Sequence, residues 1–156
     1  MEVIKLENKH LDEFISFRIK SHKESEYINS SNINKATKLL KEYNKDNGKF
    51  AFIVLDNNTV IGQLYVKINP ISNICHLLSI SILKEYYGTG LSYQLLNKVK
   101  ELAKINNKDI IELIVNKNNE RALNFYKNNG FKFIKHYNTN DDIYQINLKE
   151  PGYKTW

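Results

Sequence analysis

From Leu91 to Ala103 the apolar residues fall three and four apart. Leu91, Leu95, Val99 and Leu102, with Leu96 and Ala103 beside them, make one apolar face of a helix. The rest of the chain divides by the same test. Val3 to Leu6 alternates apolar and polar and predicts a short edge strand. Asn8 stands where it can cap a helix whose buried face carries Leu11, Phe14 and Ile15. Lys20 to Ser31 is polar and loses the period. A second helix is predicted on Ile33, Ala36, Leu39, Leu40 and Tyr43, ended by Asn44 to Gly48. Phe50 to Leu55 and Val60 to Ile68 read as a hairpin around Asp56-Asn57-Asn58, and Asn69-Pro70 breaks the return strand. Ile74 to Leu83, apolar on both faces, predicts a central strand, and Asp109 to Val115 a second buried one. Asn119 to Asn129 reads as a short helix with Gly130 just past its end, and Phe131 to Tyr137 and Ile143 to Leu148 as a final hairpin. No element is assigned to Pro151 to Trp156.

The resulting order is β-α-α-β-β-β-α-β-α-β-β. Two central strands joined by a helix must run parallel with a right-handed crossover, while the flanking hairpins are antiparallel. The expectation is a mixed α/β fold, a central sheet of about seven strands flanked by four helices, in a single domain over 1–156.

Composition narrows the classes. A chain of 156 residues is long enough for a real core, and 42% hydrophobic residues argue against disorder. No apolar run approaches the ~18 residues of a membrane span, and no apolar h-region follows Met1-Glu2-Val3-Ile4-Lys5. The single cysteine, Cys75, allows no internal disulfide, which fits a reducing, cytoplasmic setting. On an apolar strand Cys75 reads as core, with no activating partner near it in sequence. The net charge of +6 raises the question of nucleic acid. The lysines are scattered, however, and no run of five like charges occurs, so nucleic acid is disfavoured. A modest positive field also suits a polyanionic cofactor.

The candidate chemistry gathers between Leu77 and Phe131. An apolar strand ending in Ile80-Ser81-Ile82-Leu83 runs into Tyr87-Gly88-Thr89-Gly90, and the turn opens the helix that begins near Leu91. Glycines there allow unusual backbone angles and close approach of a ligand. No acidic side chain stands in the first helical turn, which leaves its N–H groups for an outside anion. The turn reads either as a phosphate cradle or as a plain strand-to-helix turn. Two familiar phosphate loops are excluded: no lysine follows Gly90 at P-loop spacing, and Tyr93 stands where the dinucleotide fingerprint needs a third glycine.

This order, with the glycine turn after the fourth strand, resembles the GNAT superfamily of N-acetyltransferases over essentially the whole chain. The family signature is Gln or Arg, two residues, Gly, one residue, then Gly or Ala. It falls on Tyr87-Gly88-Thr89-Gly90-Leu91-Ser92, where Gly90 matches, Tyr87 replaces Gln or Arg, and Ser92 replaces the small last residue. A second family pattern lies on Asn119, Ala122, Phe125, Tyr126, Gly130 and Phe131. The resemblance implies direct transfer of an acetyl group from acetyl-CoA, a co-substrate, to an amine, with no metal. It implies that the backbone of Tyr87, Gly88, Thr89, Gly90, Leu91 and Ser92 binds the pyrophosphate. The pantetheine arm would meet Ile80, Ser81, Ile82 and Asn119, and Tyr126 would protonate the departing thiolate. Each residue also has a plainer reading: Tyr126 as a core aromatic with a local hydroxyl partner, Asn119 as a helix cap, Phe131 as packing.

The base is open. Many family members carry a glutamate early on the fourth strand, and the matching position holds His76, a residue type that changes charge near neutral pH. A structural histidine, a water relay, or Ser79 positioning a water are the alternatives. Acidic residues in the segments expected to line the acceptor site, Glu24 and Glu26 and then Asp141 and Asp142 in the last hairpin loop, suggest a cationic acceptor such as a small primary amine or polyamine. The same chemistry could acetylate a protein N-terminus or lysine. A catalytically silent acyl-CoA-binding module is the alternative from another class, against which Tyr126 argues. A homodimer is compatible with this reading, and with no apolar run of spanning length no membrane partner is expected.

Overall fold

A computed structural model of the chain describes residues 1–22 and 30–150. Seven strands and four helices follow in the expected order. They are β1 (Glu2–Lys5), α1 (Leu11–His22), α2 (Ser30–Glu42), β2 (Lys49–Asp56), β3 (Thr59–Ile68), β4 (Ile74–Ile82), α3 (Leu91–Ile105), β5 (Ile110–Asn116), α4 (Glu120–Asn128), β6 (Lys132–His136) and β7 (Asp141–Asn147). The strands form one mixed sheet in the order β1-β2-β3-β4-β5-β7-β6, with β1 and β6 at its edges. Its contacts divide the chain into two compact units, Met1–Lys67 with Ser79–Lys98, and Ile68–Leu78 with Val99–Trp156.

In the first unit β1 pairs antiparallel with β2, and β2 with β3. Asn57 and Asn58 turn the β2–β3 hairpin, both left-handed with φ of 49° and 65°. That is the backbone a two-residue hairpin with both central φ positive demands, and asparagine tolerates it well. Asn44 closes the second helix in the same conformation (φ 61°). Its amide clasps β2 twice, Nδ2 donating to the Ala51 carbonyl at 3.0 Å and Oδ1 accepting from the Ala51 N–H at 3.1 Å. The core here is made by Phe14, Ile15 and Phe17 of α1, Ala51 to Val54 of β2, Ile61 and Leu64 of β3, and Leu91, Leu95 and Leu96 of α3, all 5% exposed or less. The helix start expected at Asn8 differs. Asn8–His10 is a separate 3-10 turn, and the position before it is Glu7, with no side-chain cap. The asparagine therefore begins a tighter turn instead of capping α1.

In the second unit β4 and β5 run parallel, as the crossover requires, but only three pairs form: Ile74 with Ile110, Cys75 with Ile111 and His76 with Glu112. β5 instead keeps seven pairs with β7 along its whole length. Cys75 is fully buried, and burial pushes its thiol up to about 12, the state of an inert core residue. The α4 helix is closed at both ends. Asn119 Oδ1 accepts the Ala122 N–H at 3.2 Å, an N-cap. At the other end the Phe131 N–H reaches the Tyr126 carbonyl (3.0 Å) and the Gly130 N–H the Lys127 carbonyl (3.1 Å), the paired bonds of a Schellman motif. Gly130 sits there at φ +92°, and a Cβ on it would lie 3.2 Å from Ile146 Cδ1. Gly130→Ala is therefore expected to lower unfolding free energy by about 1–2 kcal/mol, from left-handed strain and crowding together. Urea unfolding checks it, and an unchanged midpoint would show that the cap tolerates a side chain.

Candidate active site

The first unit carries the glycine turn. β4 ends at Ile82, one turn of 3-10 helix (Lys84–Tyr86) follows, and the chain then reverses through Tyr87 to Gly90 into α3. This extra 3-10 turn is absent from the strand-to-helix reading of the sequence. It is braced: the Tyr86 hydroxyl donates to Asp56 Oδ2 at 2.7 Å, and Thr89 Oγ1 donates to the Tyr86 carbonyl at 2.5 Å. Gly88 and Gly90 lie at φ +80° and +85°, and a Cβ on either would meet nothing within 4 Å. Packing thus does not select glycine at these positions; the backbone angle does. The bare surface they leave is open to whatever approaches the turn. The α3 ladder begins with Gln94 N–H on the Gly90 carbonyl at 3.0 Å. The amides of Leu91 and Ser92 precede that ladder, in a first turn with no acidic side chain. The elements of an anion cradle are assembled: positive-φ glycines, exposed backbone and the positive end of a fifteen-residue helix.

Just upstream, Ile80, Ser81 and Ile82 occupy the end of β4, with Ile80 and Ser81 half-buried and Ile82 buried. Ser79 Oγ accepts a hydrogen bond from Gln63 Nε2 at 3.1 Å. Gln63 is 1% exposed and is linked through Tyr65 to Arg18.

The second unit carries Tyr126, Asn119 and His76. The Tyr126 ring is gripped edge-on by Phe125 and Phe131, each with its centroid 5.4 Å away. Burial pushes the phenol up to about 12. Tyr126 as a whole is half-buried, and no hydrogen-bond partner for its hydroxyl lies among the described residues. Phe131, 3% exposed, is the packing residue expected of it. His76 stands in register with Glu112, and Glu112 with Gln145. Imidazole Nδ1 lies 3.4 Å from Glu112 Oε2, while Glu112 Oε1 accepts from Gln145 Nε2 at 2.8 Å. The Gln145 amide holds that carboxylate in place beside the ring.

The acidic residues chosen for the acceptor fare differently. Glu24 and Glu26 lie outside the described residues. Asp141 and Asp142 are the first residues of β7 and not part of the hairpin loop, because the strand pairs as far as Asp141 with Asn116. Asp142 is 9% exposed and in contact with His136, Oδ1 to Nδ1 2.6 Å, and Asp141 Oδ2 accepts from Asn138 Nδ2 at 3.1 Å. Both carboxylates already have partners. Glu112, Gln145, Gln63, Tyr65 and Arg18 were not picked out from the sequence. Each is a polar residue inside an apolar stretch, the one local signal that could have marked them. Among the described residues no group of three or more His, Cys, Asp or Glu side chains could hold a metal ion, and no helix is long and apolar enough to cross a membrane.

Comparison with known proteins agrees with this geometry. No curated relative matches the chain. Among solved structures, the PaiA N-acetyltransferase of Thermoplasma acidophilum in complex with coenzyme A has a TM-score of 0.78 at 23% identity, covering 94% of this chain and 98% of its own. A GNAT-family acetyltransferase from Staphylococcus aureus reaches 0.75 at 23% identity, over 95% and 99%. A chimera of Vibrio cholerae spermidine N-acetyltransferase and hSSAT reaches 0.75 at 22%, over 95% and 96%. These likenesses establish the fold. The family model described as "Acetyltransferase (GNAT) family" matches residues 12–131, from the start of α1 through the end of the α4 cap, and on that match the chain belongs to the GNAT acetyltransferase family, the acetyl-CoA-dependent N-acetyltransferases.

Proposed function

We propose that this N-acetyltransferase acetylates a small primary amine or polyamine, with the pyrophosphate of acetyl-CoA held at the Tyr87 to Ser92 turn. The observation that carries the cofactor site is the pair of glycines at φ +80° and +85° opening a helix whose first turn has no acid. Gly88, Thr89 and Gly90 present bare backbone, Leu91 and Ser92 add amides at the positive end of α3, and the exchanges at Tyr87 and Ser92 leave that backbone surface intact. Ile80, Ser81 and Ile82, which lead into that turn, are the proposed contacts of the pantetheine arm. Fold likeness to the spermidine N-acetyltransferase chimera supports the amine class.

Acetyl-CoA supplies the acetyl group on a thioester. One proton must leave the acceptor ammonium before attack, a second must leave the nitrogen once the C–N bond has formed, and one must reach the departing sulfur. His76 is the proposed base: with Nδ1 turned to Glu112, its other nitrogen is available to accept. Tyr126 is the proposed acid. Its raised pKa, about 12, keeps the phenol protonated through neutral pH, so the proton is there to give. Burial that disfavours the phenolate also disfavours a thiolate beside it, which draws the proton toward sulfur.

Gly90→Val is expected to weaken acetyl-CoA binding roughly 10–100-fold, because a β-branched residue cannot hold φ near +85° and its branch would cover the cradle. Calorimetry reads the affinity, with circular dichroism confirming that the variant folds; unchanged affinity would move the pyrophosphate elsewhere.

Tyr126→Phe is expected to bind acetyl-CoA normally and to lose roughly 10²–10⁴ in turnover. Since the acid form is lost only as pH rises through about 12, the wild type should show no falling alkaline limb from this group below about pH 11. In the same pH–rate series His76→Asn should flatten the rising limb at subsaturating acceptor. Wild-type turnover in the phenylalanine variant, or an unaltered limb in the asparagine variant, would reassign the acid or the base.

The acceptor itself is tested with a panel of polyamines, amino acids, aminoglycosides and peptides with free N-termini, scored by thiol release from acetyl-CoA. Spermidine or another small amine should be the fastest. A peptide-only response would turn the reading toward protein acetylation.

A further inference from the structure

In the second unit three polar side chains form one cross-strand row. The pairing sets His76 of β4 beside Glu112 of β5, and Glu112 opposite Gln145 of β7, so all three stand on the same face of the sheet. Glu112 Oε1 accepts from Gln145 Nε2 at 2.8 Å, and Glu112 Oε2 lies 3.4 Å from His76 Nδ1. Each carboxylate oxygen thus has its own neighbour. His76 is the more open of the ion pair, its side chain 33% exposed against 19% for Glu112. Lys132, which pairs opposite Gln145 on β6, is engaged with Glu150 at 3.4 Å. Among the described residues no other charged group pairs with His76 or Glu112.

The row has a direction that its chemistry fixes. An ionised carboxylate only accepts, so the Gln145 amide must meet it with its nitrogen, as it does. The same rule applies at the other end. A bare ring nitrogen at 3.4 Å from Oε2 would set two lone pairs against each other, so Nδ1 carries the hydrogen. A neutral imidazole has one such hydrogen to place, and with it on Nδ1 the Nε2 lone pair is left to accept a proton. A histidine in water prefers the opposite arrangement, with the hydrogen on Nε2. The carboxylate therefore selects the less common tautomer, and the amide keeps the carboxylate from swinging away.

We infer that Glu112 and Gln145 are positioning residues for the base: Glu112 holds His76 in the tautomer whose Nε2 takes the proton, and Gln145 fixes the Glu112 carboxylate against it. The inference rests on the reading of His76 as the base of acetyl transfer given above. In the transfer the C–N bond forms and the C–S bond breaks. Each proton that leaves the nitrogen is taken at Nε2 and passed to water before the next. The sulfur takes the Tyr126 proton, which water restores. The Nδ1 hydrogen stays toward Glu112 throughout, and neither Glu112 nor Gln145 touches substrate in this scheme.

Glu112→Gln keeps the shape of the side chain and reverses its effect. Gln145 still donates to the oxygen it holds, so the introduced amide must turn its NH₂ group to His76. Nδ1 then accepts, and the ring hydrogen moves to Nε2. With the fastest acceptor of the panel, kcat should fall roughly 10²–10⁴-fold while acetyl-CoA affinity and melting temperature stay close to wild type. Removing the clamp as well, in Glu112→Gln/Gln145→Met, frees the introduced amide to flip and offer its oxygen to Nδ1. The double variant should therefore be faster than Glu112→Gln alone, whereas a merely structural row predicts a second loss added to the first. The tautomer is also read without turnover. Proton–nitrogen correlation spectra of the imidazole rings, recorded with the rings neutral and assigned by His76→Asn, should show the His76 hydrogen on Nδ1 in the wild type and on Nε2 in Glu112→Gln. Should that variant not fold, the wild-type spectrum still decides. A hydrogen on Nε2 in the wild type, wild-type kcat in Glu112→Gln, or a double variant slower than the single would overturn the inference while leaving His76 as the base. Wild-type turnover in His76→Asn would remove the base reading itself, and this inference with it.

Discussion

The constraint on which the first unit depends is the backbone conformation at Gly88 and Gly90. Two left-handed residues, with Thr89 between them, turn the chain into α3, and L side chains resist those angles. The consequence runs both ways along the chain. Downstream, α3 starts at Leu91, so the stripe of Leu91, Leu95 and Leu96 is set against the core. Upstream, Tyr86 is pinned to Asp56 at the end of β2, so the turn is anchored to the hairpin that Asn57 and Asn58 shape. The same conformation leaves exposed backbone and no side chain. The features that build the fold at this point are thus the ones that suit a pyrophosphate.

A similar coincidence marks α4. Asn119, Gly130 and Phe131, three positions of the pattern that suggested the family, are the cap residues of this nine-residue helix. A helix so short has little stability of its own and needs both ends closed. Within that frame Tyr126 is one of the few residues with no evident structural task for its polar atom. Its ring packs against Phe125 and Phe131, while its hydroxyl has no partner among the described residues. The ring is largely covered while the residue as a whole is half-buried, so the hydroxyl end is left facing out of the packing.

The legible parts of the chain were those written in periodicity and in backbone demand. The stripe of α3, the Asn57-Asn58 hairpin, the Asn119 cap and the Gly130 terminus all emerge within a residue or two of their expected places, because each is decided by local physics. Where the sequence misled, the deciding partner was distant. Asn8 has the chemistry of a cap, but the chain around it folds into a separate 3-10 turn. Asp142 resembles a solvated loop acid until β7 pairs beside β6 and brings His136 within 2.6 Å. The partners of His76 and Ser79 were illegible for the same reason. Glu112 lies thirty-six residues from His76, and Arg18 sixty-one from Ser79, so only strand order and burial could bring either pair into one network.

The central claim is that the glycine turn is the pyrophosphate site of an acetyl-CoA-dependent transferase. Amide chemical-shift mapping during titration with coenzyme A tests it most directly, since it reads the backbone groups that the claim invokes. The account predicts the largest shifts at Gly88, Thr89, Gly90, Leu91 and Ser92, with free phosphate at high concentration moving the same amides more weakly. Saturable binding that leaves those amides unmoved would contradict it.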